Sequence, residues 1–363
     1  MARVRAGALR TPVLAVLLLL LVLLLPVLAG CRSGGGDAGP AEWPPYSTEP
    51  VGLYPVTVGD GMGYIDRTGA MVIPAQFTGA QPFSEGLAAV QMGRASEWGY
   101  IDRTGTLVIE PQFADVVPFS EGRAAVQPDL EGSWGFIDTT GTLIIQPQYA
   151  FAWSFSEGLA RVRTDSEGGF IDASGEWVIK MQEYMPVDDF SQGLAPIYQR
   201  EINAYGFINA GGEIVIPPTY EEAWGFSEDV AAVRTPSTET VPGLCGYIDR
   251  DGDWVIAANY ENARPFSEGL AAVQIEPLGS WGYIDPTGAV VIPLEWDGAE
   301  EFQGGLARVS VLVGSDEDLG PLYGFAYIDT QGQAVWQDAA LVAFRAAPPT
   351  TTIPEASTTT VLP

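Results

Sequence analysis

The feature that most constrains this chain is a short sequence, Gly-Tyr/Phe-Ile-Asp/Asn, which recurs eight times at intervals of about 36 residues. A repeat of this length makes each copy one supersecondary unit that must pack against its neighbours. The copies begin at Gly63, Gly99, Gly135, Gly169, Gly206, Gly246 and Gly282, and Ala326 replaces the glycine in the eighth copy. The repeats therefore predict one continuous domain over residues 51–340.

A turn signal of the form Asp/Asn-x-x-Gly follows each copy, as in Asp102 to Gly105. Asp or Asn opens such a turn by hydrogen bonding to nearby backbone, and glycine supplies the position with positive φ. The flanking Tyr-Ile and Val-Ile pairs favour strands, and no segment has a convincing helical period. Each unit is therefore predicted to form three short antiparallel strands. The linking segment, for example Phe113 to Phe119, is a candidate for a fourth, irregular strand.

Both faces of these strands are apolar, so the small sheets must stack on one another. Leu87 and Ala89 point one way and Ala88 and Val90 the other. A unit cannot fold alone, because ordering its residues costs on the order of 50 kcal/mol. We therefore predict an all-β fold of eight tandem antiparallel β-meander repeats stacked face to face. A propeller-like ring, which needs no end caps, is favoured over an open solenoid, although the first unit is atypical.

The array resembles the WG-repeat (KWG-repeat) family of bacterial proteins. The resemblance rests on Trp98-Gly99-Tyr100-Ile101-Asp102, the turn, Val-Ile and the motif Phe-Ser-Glu-Gly, and it covers most of the chain. The tryptophan is present as Trp98, Trp134 and Trp281, whereas other units carry Met62, Gly168, Tyr205, Cys245 and Phe325. The resemblance implies a β-repeat structure, and the family has no single agreed activity to carry over.

The N-terminal residues have the pattern of an export signal. Three arginines precede the apolar run from Val13 to Leu25, and Leu28-Ala29-Gly30-Cys31 is similar to a bacterial lipobox. We therefore predict a lipoprotein signal peptide at 1–30, with lipidation of Cys31; an uncleaved membrane anchor is the alternative. Residues 31–50 are predicted as a flexible Gly/Pro-rich tether, and residues 341–363 as a disordered Pro/Thr-rich tail.

Charge and composition exclude several classes of function. The net charge of −29 opposes nucleic-acid binding and contact with anionic lipid headgroups, so we expect membrane contact through the lipid anchor only. The chain has no histidine, which removes the common nucleophilic triads and makes a zinc site unfavourable. We expect no catalytic residue, no metal and no cofactor; weak calcium binding by Asp249–Asp253 or Asp316–Asp318 is the alternative. The recurring carboxylates, Asp66 and Glu85 with their copies, are interpreted as turn residues.

Residues that vary inside the strict repeat are the better candidates for function. One linking position changes from unit to unit: Gln81, Val117, Trp153, Trp224, Arg264 and Glu300. We take Trp153 and Trp224 as candidate ligand contacts on an exposed rim, against the alternative that both fill the core between units. Insertions at 181–189, 238–244 and 314–322 are expected to project as loops.

The leading hypothesis for function is an extracytoplasmic, lipid-anchored, monomeric interaction module that binds an unidentified protein or cell-envelope glycan. The alternative is a cell-wall or carbohydrate-binding surface protein, with glycan cleavage as its extreme form.

Overall fold

The computed structural model describes residues 52–93, 97–316 and 320–346. They form eight antiparallel sheets, in each of which strands that are consecutive in sequence are hydrogen-bonded neighbours. We call these sheets blades 1 to 8 in chain order; the first strand of a four-stranded blade lies nearest the axis and the last on the outside. The prediction of eight meander units arranged in a propeller-like ring is confirmed. The irregular linking segment supplies the inner strand, as the sequence suggested.

Blade 1 has three strands, and blades 2 to 8 have four each. The strands of blades 1 and 2 are β1 (Tyr54–Val58), β2 (Gly61–Ile65), β3 (Met71–Phe77), β4 (Gly79–Ala80), β5 (Leu87–Gln91), β6 (Trp98–Asp102) and β7 (Leu107–Phe113). Those of blades 3 and 4 are β8 (Asp115–Val116), β9 (Arg123–Gln127), β10 (Trp134–Asp138), β11 (Leu143–Tyr149), β12 (Phe151–Ser156), β13 (Leu159–Arg163), β14 (Gly168–Ile171) and β15 (Trp177–Met181).

The other four blades repeat this order. Blades 5 and 6 contain β16 (Tyr184–Pro186), β17 (Leu194–Gln199), β18 (Ala204–Asn209), β19 (Ile214–Tyr220), β20 (Glu222–Ser227), β21 (Val230–Arg234), β22 (Cys245–Ile248) and β23 (Trp254–Tyr260). Blades 7 and 8 contain β24 (Asn262–Ala263), β25 (Ala271–Gln274), β26 (Trp281–Ile284), β27 (Val290–Trp296), β28 (Gly298–Ala299), β29 (Leu306–Asp316), β30 (Gly320–Asp329) and β31 (Ala334–Gln337), and α1 (Ala339–Ala346) follows.

The repeated glycine is required by a bulge in the sheet. The register between β6 and β7 shifts on either side of Tyr100, which brings the backbone of β7 close to Gly99. A β-carbon on Gly99 would lie 2.5 Å from the carbonyl oxygen of Ile109. In blade 8 the shift before Tyr327 is absent, and the chain carries Ala326 there. Blade 4 also lacks the shift before Phe170, but a β-carbon on Gly169 would still clash with the carbonyl oxygen of Ile179. Glycine is thus kept where two backbones approach too closely for a side chain.

The blades are joined by aromatic contacts that cross from one sheet to the next. The ring of Tyr100 in blade 2 lies 4.8 Å from that of Phe119 in blade 3, and its hydroxyl donates to the carbonyl oxygen of Val117 at 3.1 Å. The equivalent ring pair joins every successive pair from blades 1 and 2 to blades 7 and 8, with centroid distances of 4.7–5.1 Å. The core is therefore a series of clusters, each shared by two blades.

Blades 8 and 1 close the ring with a different set of contacts. Tyr54 occupies the position that is alanine in unit 2, and its ring lies 5.3 Å from that of Tyr327. The Tyr327 hydroxyl donates to the carbonyl oxygen of Pro55 at 3.0 Å, and the Tyr54 hydroxyl donates to that of Gly304 at 2.5 Å. The atypical residues of the first unit, which could have capped a solenoid, therefore make the closing contact.

The ring has two chemically different faces. One carries the Asp/Asn-x-x-Gly turns and the turns between the first and second strands of each blade; we call it the hairpin face. The other carries the loops between the second and third strands, and we call it the loop face. The chain enters β1 on the hairpin face, beside Gly304, and α1 lies at the loop face against β29 and β30.

The structure differs from the prediction in part of the C-terminal tail and in one insertion. Residues 341–346, assigned to the disordered tail, are helical, and Leu341 is fully buried against Gly324. The insertion at 181–189, expected to project as a loop, instead contains the inner strand β16. The signal peptide, Cys31 and the tether lie outside the described residues, as does the rest of the tail from residue 347.

Candidate functional site

The motif Phe-Ser-Glu-Gly forms a tight hairpin at the inner edge of a blade. Backbone hydrogen bonds join Ser84 and Leu87 in both directions, at 2.9 and 3.0 Å. Between them, Glu85 has a φ of 51° and Gly86 a φ of 81°, the two positive values that a type I′ turn requires. Glutamate is an uncommon choice for the first of these positions, where Asn or Asp is usual. Its side chain therefore has another purpose.

That purpose is a hydrogen bond to the next blade, which we call the latch. The Glu85 carboxylate accepts the backbone N–H groups of Glu121 and Gly122 at 2.8 and 2.9 Å. Further latches run from Gly158 to Glu121, Gly193 to Glu157, Asp229 to Gln192, Gly269 to Glu228 and Gly305 to Glu268. The recurring glutamate, with Gln192 in its place in blade 5, thus ties blades 2 to 8 together in sequence.

The recurring aspartate has a local role in its own turn. One oxygen of Asp102 accepts the Thr104 hydroxyl at 2.6 Å and the backbone N–H groups of Thr104 and Thr106 at 2.8 and 3.0 Å. These hydrogen bonds, that from the Thr104 hydroxyl above all, lower the pKa of Asp102. The pKa values of Asp66, Asp138 and Asp172 are lowered for the same reason. Both kinds of recurring carboxylate therefore serve the backbone.

A cavity of about 460 Å³ lies on the axis of the ring. Its wall includes one motif serine from each of blades 2 to 7: Ser84, Ser120, Ser156, Ser191, Ser227 and Ser267. Three of these hydroxyls donate to a phenylalanine carbonyl in the following blade, as Ser156 does to Phe190 at 2.6 Å. Half of the repeated serines in the wall thus help to hold adjacent blades together.

The unit-specific part of the wall is acidic, with Asp188, Asp189 and Glu301 as its carboxylates. Burial raises the pKa of Asp189 to about 6; the nearby Arg161 opposes the shift and the charge of Asp188 adds to it. Burial also raises the pKa of Glu301, with Arg264 opposing and Asp188 adding. The negative charge of Asp188 in blade 5 thus acts on the Glu301 carboxyl of blade 8 across the cavity.

Arg161 is the basic residue that organises this wall. Its Nε lies 3.2 Å from Oδ1 of Asp189, and a terminal nitrogen lies 4.0 Å from Oδ1 of Asp188. The other terminal nitrogen donates to the carbonyl oxygen of Val187. The side chain is only 11% exposed, so the guanidinium holds blade 4 against the inner strand of blade 5.

The two tryptophans singled out from the sequence are both half-buried, and the structure does not bring them together. Trp153 lies on inner strand β12, where the Arg161 guanidinium carbon is 4.0 Å from its ring centroid and Phe151 stacks beside it at 6.1 Å. Trp224 lies on β20 and packs against the cluster of Tyr247 and Phe266 between blades 6 and 7. Ligand contact by either residue remains a prediction.

Within the described ranges, no group of three or more acidic or cysteine side chains is placed to hold a metal ion. The Asp249 side chain, one of the calcium candidates, accepts the N–H groups of Asp251 and Asp253 in its own turn. The second candidate patch lies partly outside the described residues. None of the helices in the described part of the chain is long and apolar enough to span a membrane.

Sequence reasoning missed the three cavity acids, although a signal for two of them, Asp189 and Glu301, exists. The residue before the motif phenylalanine is proline in three units: Pro82, Pro118 and Pro265. The same position is Asp189 in unit 5 and Glu301 in unit 8, a change from a rigid apolar residue to a carboxylate. Because this position faces the axis, the departures mark the cavity wall.

The protein is an eight-bladed β-propeller built from tandem repeats, as shown by its closed ring, its repeated aromatic contacts and its latches. The model of the WG containing repeat matches residues 62–94, 98–128, 134–167, 169–201, 205–235, 246–276 and 281–311, so the chain belongs to this family. Each match runs through the two outer strands of one blade and the two inner strands of the next. Seven repeats therefore link eight blades, and the strands at the two ends complete blades 1 and 8. No curated protein matches the sequence.

Several solved structures are similar in fold. A eukaryotic initiation factor is 11% identical, with 79% of this chain and 84% of that one covered and a TM-score of 0.48. The dihydro-heme d1 dehydrogenase NirN is 15% identical, with 85% and 77% covered and a TM-score of 0.46. A virginiamycin B lyase from Staphylococcus aureus is 13% identical, with 72% and 95% covered and a TM-score of 0.37. At these values the similarity says nothing about function.

Proposed function

We propose that this WG-repeat propeller is a lipid-anchored, extracytoplasmic binding module without catalytic activity. The observation that carries the proposal is how the carboxylates are used. The recurring aspartates and glutamates accept backbone N–H groups in turns and latches, while the acids that occur once gather on the axial wall. Repeated residues hold the ring, and unit-specific residues are left for a ligand.

Attachment to a membrane is supported by the lipobox-like sequence ending at Cys31 and by the point where the chain enters the ring. The first described residue, Gly52, lies beside Gly304 on the hairpin face. A tether that starts at Cys31 would therefore reach the propeller from this side and leave the opposite face towards the surroundings. Two or three acyl chains at Cys31 would hold the protein stably, whereas one would be marginal.

Binding to carbohydrate through Trp153 and Trp224 has less support than binding to protein. A sugar platform needs a free aromatic face. The Arg161 guanidinium lies over Trp153, and Trp224 packs into the cluster between two blades. Retention on purified cell wall by the Trp153→Ala/Trp224→Ala variant should therefore equal that of the unaltered protein, and a loss of retention would favour the sugar-binding alternative.

Two experiments test the proposal. Metabolic labelling with a fatty-acid probe should mark the protein, and Cys31→Ser should abolish the label and release the protein from membranes. Incubation with a panel of glycans should give no turnover. Cleavage that disappears in Asp189→Asn or Glu301→Gln would replace the binding module with a two-carboxylate enzyme.

A further inference from the structure

Large apolar side chains are exposed at the loop-face end of every blade. They are Val58, Met92, Leu130, Phe151, Ile202, Val241, Ile275 and Leu278, and the pair Leu312 and Leu322. Other exposed apolar side chains lie on the outer strands, for example Val108 and Val291. At the hairpin-face end of the described blades, Met71, Ile214 and Val290 begin outer strands and are exposed, whereas the turns themselves contribute none. Scattered exposed aliphatic residues need no explanation, but a full ring of them around one end of the axis does.

Leu278 is the clearest member of this ring. Its side chain is 101% exposed, and its φ is +58°, in the left-handed region that costs a non-glycine residue free energy. Neither burial nor backbone preference therefore explains a leucine here. Leu130 holds a similar place in the loop of blade 3 and is 80% exposed. Both leucines stand at the tip of a loop, where a partner could reach them.

Blade 8 extends the same surface outwards. Its hairpin β29–β30 is the longest in the described part of the chain and carries Leu312 and Tyr323 in register, 45% and 43% exposed. The helix α1 packs beside it through Leu341 and leaves Val342 and Phe344 52% and 47% exposed. An amphipathic helix normally turns its apolar side chains inwards, so these two are unusual.

The two most exposed leucines, Leu130 and Leu278, are flanked by acids, which points to the kind of partner. Asp129 and Glu131 enclose Leu130, and Glu276 lies two residues before Leu278. All three acids are exposed. The strongly negative chain would repel a second copy of itself and an anionic bilayer. A surface that combines apolar pockets with lysine or arginine would satisfy both the leucines and the acids.

We propose that the loop face is a protein-docking surface, on which Leu130, Leu278 and the apolar residues of blade 8 insert into a basic, apolar partner surface. The inference rests on the proposed binding function and adds to it a second surface, on the face opposite the axial acids, with the class of its partner. This surface lies on the face opposite the one on which the chain enters β1.

The test uses the full chain with Cys31→Ser and three synthetic 18-residue helical peptides of leucine with lysine, leucine with glutamate, and serine with lysine. Only the leucine–lysine peptide should bind. Leu130→Ser/Leu278→Ser should weaken that binding by about tenfold or more, because two apolar contacts are lost. The matched control Val108→Ser/Val291→Ser removes equally apolar residues from the outer strands and should stay within about twofold.

Equal binding of the serine–lysine peptide, or equal loss in the control variant, would overturn the proposal. Two other results would also overturn the proposal. One is that the unaltered chain binds phosphatidylglycerol vesicles and Leu278→Ser does not; the other is that the unaltered chain self-associates and Leu278→Ser abolishes the self-association. Leu278→Asn should leave the melting temperature unchanged or slightly raised, because asparagine tolerates positive φ; a clear fall would show that the leucine has a structural role. Because Cys31 is absent from this experiment, a failure of lipid anchoring would leave its result standing.

Discussion

The two faces of the propeller are built by different parts of the repeat. On the hairpin face, a glutamate of blades 2, 3, 4, 6 and 7 and a glutamine of blade 5 accept backbone N–H groups of the next blade, and an aspartate or asparagine in each blade orders its own turn. On the loop face, the loops differ in length from blade to blade, and exposed apolar side chains such as Leu130, Ile202 and Leu278 lie among them. The comparison shows how a repeat protein separates two tasks. Residues that meet a neighbouring blade are repeated, and the residues that we propose to meet a partner vary from blade to blade.

The closing contact should be the most sensitive point of the hairpin face. Tyr54→Ala removes a buried ring and two interactions with blade 8, and we expect it to lower the free energy of unfolding by about 3–5 kcal/mol. Tyr54→Phe keeps the ring and should cost about 1 kcal/mol for the lost hydrogen bond. Denaturant unfolding measures both. A loss below about 1 kcal/mol in Tyr54→Ala would mean that the ring does not depend on this closure.

A glycine pair compares the repeated core with the loop face directly. Gly99→Ala places a methyl group 2.5 Å from the carbonyl oxygen of Ile109, and we expect a loss of about 1–3 kcal/mol. A β-carbon added to Gly314, on the blade 8 hairpin, would have no atom beyond its chain neighbours within 4 Å. Gly314→Ala should therefore leave stability unchanged. Similar melting temperatures for the two variants would contradict the close approach at the bulge.

Removal of one latch should have a smaller effect. Glu157 accepts the N–H of Gly193 at 2.8 Å, and Glu157→Ala leaves that donor without its carboxylate. We expect a loss of about 1 kcal/mol, while Glu157→Gln should keep most of the stability, as the natural Gln192 does in blade 5. Glu239→Ala, in an exposed loop, is the control and should have no effect. Equal stability of all three variants in thermal unfolding would show that the latches are incidental.

The smallest effect concerns pH and distinguishes the two kinds of acid. The turn aspartates have lowered pKa values, so the stability they add is present above about pH 4 and is lost as the pH falls through their folded-state pKa. Asp189 has a raised pKa of about 6, so its contribution declines as the pH rises from about 4 to about 6. Relative to the unaltered chain, Asp189→Asn should gain stability across that window. If the melting temperatures of the unaltered chain and of Asp189→Asn changed in parallel between about pH 4 and about pH 6, the raised pKa of Asp189 would be contradicted.

The sequence predicted whatever a single unit determines by itself. The Asp-x-x-Gly turns, the buried Gly-Tyr-Ile-Asp strands and the number of blades follow from local patterns, and all are present in the structure. The latch was missed because Glu85 and the backbone N–H groups that donate to it are about 36 residues apart, and because glutamate is not a usual residue for a type I′ turn. Asp188 and Asp189 were assigned to a projecting loop, since the inner strand of blade 5 has only three residues. Leu341 is buried only because Gly324 leaves space for it.

Amide hydrogen exchange tests the division between the faces most directly. Slow exchange is expected for the latched N–H groups on the hairpin face, those of Gly122, Gly158, Gly193, Gly269 and Gly305, although all lie in surface turns. Fast exchange is expected at the loop tips around Leu130, Ile202 and Leu278. Equally fast exchange on both faces would mean that the hairpin face is not held by its latches, and the division of roles between the two faces would fail.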